Sequence, residues 1–210
     1  IAFADAYMKR AMLQNRLGQY TRSLADMDRA LDLNPYSEYI FDRRAKVKFL
    51  LNDIKGAEDD LARAVALKPY DELLRESRVD ALLAMGETAE AIQELDSLLL
   101  LHPDDVLLIL KKGTARLQMD DGPGALVIFD HAVTVAPRLA IVHDLRGVAL
   151  MRLQRWNDAL VSLDRAIALD RNFDLALYNR GLVHAHLGHP AQARADMDAA
   201  LELAHDKPHI

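Results

Sequence analysis

The chain has 210 residues, no cysteine and a formal net charge of −6, and 51% of its residues are hydrophobic. These values exclude a disulfide scaffold, a thiolate metal site, a cysteine nucleophile and a disordered chain. They also disfavour any partner held by a phosphate-neutralising surface.

The predicted elements follow from one spacing. Pro35, Pro69, Pro103 and Pro137 stand 34 residues apart and delimit blocks at 4–37, 38–71, 72–105 and 106–139. Blocks 140–173 and 174–207 follow without a gap, with Arg171 and His205 in place of the proline. Within the first block, apolar residues at helical spacing predict helices near 4–17 and 21–34, and the same offsets recur in every later block. The fifteenth place holds Gly18, Asn52, Gly86, Asp120, Gln154 and Gly188; Gly and Asn tolerate the left-handed conformation that ends a first helix, and Gln154 is the exception. The prolines cannot continue a second helix and turn the chain into the next block.

Small residues recur where two helices must approach closely. The eighth place holds Ala11, Ala45, Val79, Gly113, Gly147 and Gly181, and the twentieth holds Ser23, Ala57, Ala91, Ala125, Ala159 and Ala193. The twenty-seventh holds Ala30, Ala64, Leu98, Ala132, Ala166 and Ala200. Block three departs most, through Val79, Leu98 and Arg75, and looser packing is expected there. In block four the run Asp120-Asp121-Gly122-Pro123-Gly124 is expected to turn its corner differently. The most apolar stretch, Leu95 to Leu110, is cut by Asp96, His102, Pro103, Asp104 and Asp105, so no membrane span is expected. No secretory leader pattern is expected from Ile1, and a soluble chain is expected, with cytoplasm favoured over periplasm.

The seventh place is basic in every block: Arg10, Arg44, Arg78, Lys112, Arg146 and Arg180. Alone, such a ladder suggests an anionic ligand. With the turn centred near the sixteenth place, however, the seventh faces the twenty-fifth, which holds Asp28, Ala62, Asp96, Asp130, Asp164 and Asp198. Ion pairs within each block are therefore expected, Arg10 with Asp28, Arg78 with Asp96, Lys112 with Asp130, Arg146 with Asp164 and Arg180 with Asp198. Asp59 and Asp60 stand near Arg44 instead. Of the clustered histidines, His186 and His189 are placed to share a helix face and His184 points away; with His205 and His209 they read as surface or packing residues. No phosphate loop, dinucleotide fingerprint or nucleophile elbow is present, and neither a metal nor a cofactor is expected.

The bulky residue fourth, the small residues eighth, twentieth and twenty-seventh, the glycine near fifteen and the proline near thirty-two together resemble the tetratricopeptide repeat (TPR) family. Tyr7, Gly18, Tyr20, Ala30 and Pro35 carry the match in the first block, and Gly147, Trp156, Ala159 and Ala166 in the fifth. The resemblance implies an all-α solenoid of six helix-turn-helix repeats, one array over 4–207, wound into a right-handed superhelix with a concave groove lined by the first helices.

In such proteins the groove is formed mainly by places two, five, nine, twelve and thirteen. Here these include Met8, Met12, Tyr39, Phe49, Leu107, Leu110, Leu117, Met151, Tyr178 and Leu182, an apolar set with charges interspersed. These residues are expected to meet a partner; the alternative is that they pack against one another across a tightly wound groove. No repeat combines Lys fifth with Asn ninth, so the family's clamp for chaperone tails is not expected. The expected function is a noncatalytic scaffold that binds a protein or peptide segment, without nucleic acid. The alternatives are a recruiting portion of a longer enzyme, or self-assembly through an uncapped last repeat around Leu201 and Leu203.

Overall fold

The computed structural model describes residues 2–205; the last two residues of the sixth block, 206 and 207, and His209 lie outside the described residues. Among the described residues there are twelve helices and no strand. They are α1 (Ala2–Arg16), α2 (Tyr20–Leu33), α3 (Glu38–Leu50), α4 (Ile54–Leu67), α5 (Glu72–Met85), α6 (Thr88–Leu101), α7 (Val106–Gln118), α8 (Gly122–Val135), α9 (Ala140–Arg152), α10 (Trp156–Leu169), α11 (Asp174–His186) and α12 (Pro190–His205). Each 34-residue block is thus one helical hairpin, and Pro35, Pro69, Pro103 and Pro137 fall in the linkers two residues past α2, α4, α6 and α8.

The corners share one conformation. The fifteenth-place residue has a left-handed backbone in all six repeats, from φ 58° at Gln154 to φ 80° at Gly86. Gln154 is therefore no exception, and the Asp120 corner does not differ from the rest: it turns at φ 59°. Asp121 then caps α8, its carboxylate accepting from the Gly124 N–H at 2.8 Å, and Pro123 sits in the first turn where its missing N–H costs nothing. Asp53, Asp71 and Asp105 cap α4, α5 and α7 in the same way.

The chain divides after Leu95 into two compact halves, and the division falls inside α6 of repeat three. In the first half α1 packs on α2, α2 on α3, α3 on α4 and α4 on α5. Its core joins Met8, Met27, Leu31, Ile40, Phe41, Val47 and Leu74. In the second half α7 packs on α8, α8 on α9, α9 on α10, α10 on α11 and α11 on α12. Its core gathers Leu126, Phe129, Leu150, Leu163 and Val183.

Every small residue predicted at a helix contact is buried. In repeat one the Ser23 hydroxyl there donates to the Ala11 carbonyl at 2.9 Å, satisfying a buried polar group with the facing backbone. The larger Val79 and Leu98 of repeat three are fully enclosed as well, and Arg75 takes Glu94 at 2.5 Å in place of an apolar contact.

Candidate functional site

The basic ladder is internal, but its wiring differs from the expected one. The carboxylate that pairs within a repeat stands at place twenty-three, not twenty-five. Arg10 grips Asp26 with two hydrogen bonds at 2.7 and 2.6 Å, and Arg180 grips Asp196 at 2.8 and 2.6 Å. Arg44 takes Asp60 at 2.8 and 2.5 Å, and Lys48 reaches the same carboxylate at 2.8 Å. The residue at place twenty-five instead receives the seventh-place base of the following repeat. Asp28 pairs with Arg44 at 2.6 Å, Asp96 with Lys112 at 2.6 Å, Asp130 with Arg146 at 2.6 Å and Asp164 with Arg180 at 2.8 Å.

The expected pairs Arg10–Asp28, Arg78–Asp96, Lys112–Asp130, Arg146–Asp164 and Arg180–Asp198 are therefore corrected. The physical reason is the corner. The left-handed residue at place fifteen, not sixteen, is the midpoint of the hairpin, so place seven faces twenty-three. Two residues further along, about 200° around the helix, the side chain points to the next repeat. Arg78 has Ala62 where its neighbours have an acid, and it takes Glu58 at 3.0 Å and Glu90 at 2.5 Å. In repeat five Ser162 replaces the buried acid and accepts from Arg146 at 2.5 Å.

The charges respond accordingly. The hydrogen bond from Arg10 holds the Asp26 carboxyl below its ordinary range, against the opposing effect of burial. Burial works against the Arg44 charge, and Asp60 and Asp28 together more than offset it. Asp144 is the contrary case: it is buried, no ion pair to it is seen among the described residues, and burial pushes its pKa up despite a hydrogen bond from the Asn179 amide at 2.8 Å.

The predicted partner-facing residues separate into three groups. Met8 is corrected to a core residue that only floors a cleft at the surface. Phe49, Leu110, Leu117 and Met151 are half-buried and lean on core clusters, and Met12 and Leu182 are half-buried. Tyr39, Leu107 and Tyr178 are exposed.

In the first half these residues form two consecutive clefts. One, of about 240 Å³, lies between α1 and α3 and is lined by Asp5, Met8, Lys9, Met12 and Tyr39. The Tyr39 hydroxyl donates to the Met12 sulfur at 3.6 Å, and the Arg43 guanidinium lies 5.1 Å from the Tyr39 ring centre, so this ring is held in place beside the opening. The second, of about 300 Å³, lies between α3 and α5 and is lined by Lys46, Phe49, Ser77 and Asp80. Lys46 is steadied by Asp42 at 2.8 Å on its own helix. Ser77 was not among the predicted positions. It stands at place six, and its hydroxyl is turned back to the Leu73 carbonyl at 2.8 Å.

The histidines do not converge as their spacing suggested. The left-handed Gly188 folds His189 back to His184, with their Nδ1 atoms 3.4 Å apart, while His186 stacks on Trp156 with ring centres 3.7 Å apart. Among the described residues no three His, Asp or Glu side chains are grouped so as to hold a metal, and no helix is long and apolar enough to cross a membrane.

Comparisons with known proteins agree with this architecture. Residues 4–37 and 174–207 match family models described as tetratricopeptide repeat, and residues 147–188 match one described as TPR repeat. A comparison with curated proteins finds no match. Among solved structures, PilW, described as a widely conserved type IV pilus biogenesis factor, superposes with a TM-score of 0.74 at 17% identity, covering 99% of this chain and 94% of that one. MamA from Desulfovibrio magneticus RS-1 gives 0.70 at 18% identity, with 81% and 96% covered. YrrB, described as a TPR protein with an unusual peptide-binding site, gives 0.61 at 17% identity, with 86% and 93% covered. Identities this low speak to fold alone. Hairpin geometry, the 34-residue period and the family matches converge: the chain is built of tetratricopeptide-type hairpins, matched by the family models over 4–37 and 147–207.

Proposed function

We propose that the chain is a noncatalytic adaptor that binds a segment of a protein partner along the exposed faces of its first helices. In this reading residues 4–207 serve as one array. The fold and its structural neighbours support a protein-interaction scaffold in general. The observation that supports groove recognition is the succession of two clefts along α1, α3 and α5, with Tyr39 at the first and Phe49 and Lys46 at the second. Apolar floors take apolar side chains, while Asp5, Lys9, Lys46 and Asp80 at the rims select the direction and charge of the segment. The segment such a surface fits is extended or helical, with apolar anchors one repeat apart and charges of both signs between them.

Selection of peptides from a display library on the immobilised chain, followed by titration of the winners, tests this. Tyr39→Ala is expected to weaken them by at least about ten-fold, whereas Tyr70→Ala, at an exposed linker residue outside both clefts, leaves affinity unchanged. Equal affinity of the wild type and Tyr39→Ala for every selected peptide refutes the reading.

A further inference from the structure

Every corner of the array brings the same two places together. The backbone N–H at place sixteen donates to the carbonyl at place eleven at 2.8 or 2.9 Å in all six repeats, from Gln19 to Gln14 in the first to His189 to His184 in the sixth. This bond closes the helix end around the left-handed residue between them. Side chains of matching chemistry at these places then meet, as Arg116 and Asp121 do at 3.1 Å in repeat four. Place sixteen is exposed at Gln19, Asp53, Glu87 and Arg155 and half-buried at Asp121, so an open residue there belongs to the corner itself and recurs through the array.

Repeat six sets two imidazoles at this corner. Helical spacing alone puts His184 and His189 on different faces; they meet because Gly188 ends the helix between them. Their Nδ1 atoms stand 3.4 Å apart, with the rings tilted by 53°. The other nitrogen of His184, Nε2, is turned toward Asp196 at 4.0 Å, and the side chain is only 14% exposed. His189 is exposed.

The separation is that of two ligands on one ion. Two imidazole nitrogens bound at about 2.0–2.1 Å to a tetrahedral metal stand about 3.3 Å from each other. The Asp196 carboxylate favours the proton on Nε2 of His184, which leaves Nδ1 its lone pair, the tautomer a metal ligand needs. The exposed His189 ring has room to turn its own lone pair off the line between the rings and onto a shared ion. The hydrogen bond of the corner holds both residues in place beforehand, so binding orders little that is not already ordered.

We propose that His184 and His189 bind one divalent transition-metal ion of the zinc type through their Nδ1 atoms, with Asp196 orienting His184. Nitrogen ligands select such ions over calcium and magnesium, which take oxygen. Two protein ligands leave the remaining positions to water or to a donor group of a bound partner. The ion ties the end of α11 to the start of α12. The site goes beyond groove recognition at Tyr39 and Lys46 and does not depend on it.

Titration of zinc chloride into the metal-free full chain, followed by calorimetry and by the imidazole signals in NMR spectra, tests this. The wild type is expected to take one zinc ion at its tightest site, and the ring signals of His184 and His189 shift together. His189→Gln alters an exposed residue, keeps the wild-type melting curve and weakens that site by about ten-fold or more; His184→Gln does the same to the affinity. His186→Gln, at the ring stacked on Trp156, leaves the affinity unchanged, as does the double variant His205→Gln/His209→Gln. A wild type that takes up no zinc at millimolar concentration, a tightest site that survives His184→Gln or His189→Gln, or one that is lost with His186→Gln or with the double variant each overturns the proposal.

Discussion

The two halves hold the same hairpin together by different means. In repeats one and two Arg10 and Arg44 clamp the buried Asp26 and Asp60, and an alanine, Ala11 or Ala45, stands where the helices come closest. In repeats four and five the buried acid is gone, replaced by Ile128 and Ser162, and the close contact is made by Gly113 and Gly147. A Cβ at Gly113 would lie 2.4 Å from the Phe129 ring, so the larger aromatic has taken the space that an alanine occupies elsewhere. Repeats one and two depend on neutralising a buried acid, whereas repeats four and five dispense with that acid and leave no room for a Cβ at the close contact. Repeat six combines both devices, Gly181 with the Arg180–Asp196 clamp.

The largest expected break is in the first half. Asp60 is 2% exposed and receives both Arg44 and Lys48, so Asp60→Ala takes the buried carboxylate from two cations, leaving Arg44 with Asp28 and Lys48 with the Gly56 carbonyl, and is expected to cost about 3 kcal/mol in urea unfolding. Next comes the volume limit of the second half: Gly113→Ala is expected to cost about 2 kcal/mol although alanine is the better helix former. Phe129→Leu added to it recovers part of that loss, and a Gly113→Ala chain as stable as wild type would show that the ring moves freely. Ser162→Ala leaves Arg146 with Asp130 and costs about 1 kcal/mol or less by the same measurement.

The smallest effect is in acid, where the halves diverge in sign. The pKa of Asp26 is lowered from 3.8, so its contribution is present above that value and is lost as pH falls through the lower folded value. The destabilisation of Asp26→Asn at neutral pH therefore vanishes in strong acid. The pKa of Asp144 is raised from 3.8, so its favourable contribution is present below that value and is lost as pH rises through the higher folded value. Asp144→Asn should melt higher than wild type at neutral pH and lose this advantage in acid; melting curves of both variants across pH decide the matter.

Twelve helices were legible because Pro35, Pro69, Pro103 and Pro137 act on backbone geometry alone, which local sequence encodes. The corners were legible too, except that Gln154 adopts a left-handed backbone which its side chain does not advertise. The ladder was recognised as internal but wired two residues out, since pairing across a hairpin depends on where its midpoint lies. The acids Asp26, Asp60, Glu94 and Asp196 at place twenty-three were the overlooked signal. The groove was the least legible part. A methionine at place five reads the same whether it faces a partner or, as Met8 does, the core of its own repeats.

The two-handed arginine also bears on how such a chain changes length. Each brace runs from place twenty-five of one hairpin to place seven of the next, so the wiring has the same phase as the 34-residue period. Excising residues 140–173 would bring Arg180 to Asp130, donor to acceptor, as the contact with Asp164 did before. A cut that is not a whole multiple of 34 residues would put donor and acceptor out of phase. The gene can therefore gain or lose whole hairpins by recombination with the link already matched wherever place twenty-five of the preceding hairpin is an acid, as it is in every repeat but the second, where Ala62 stands.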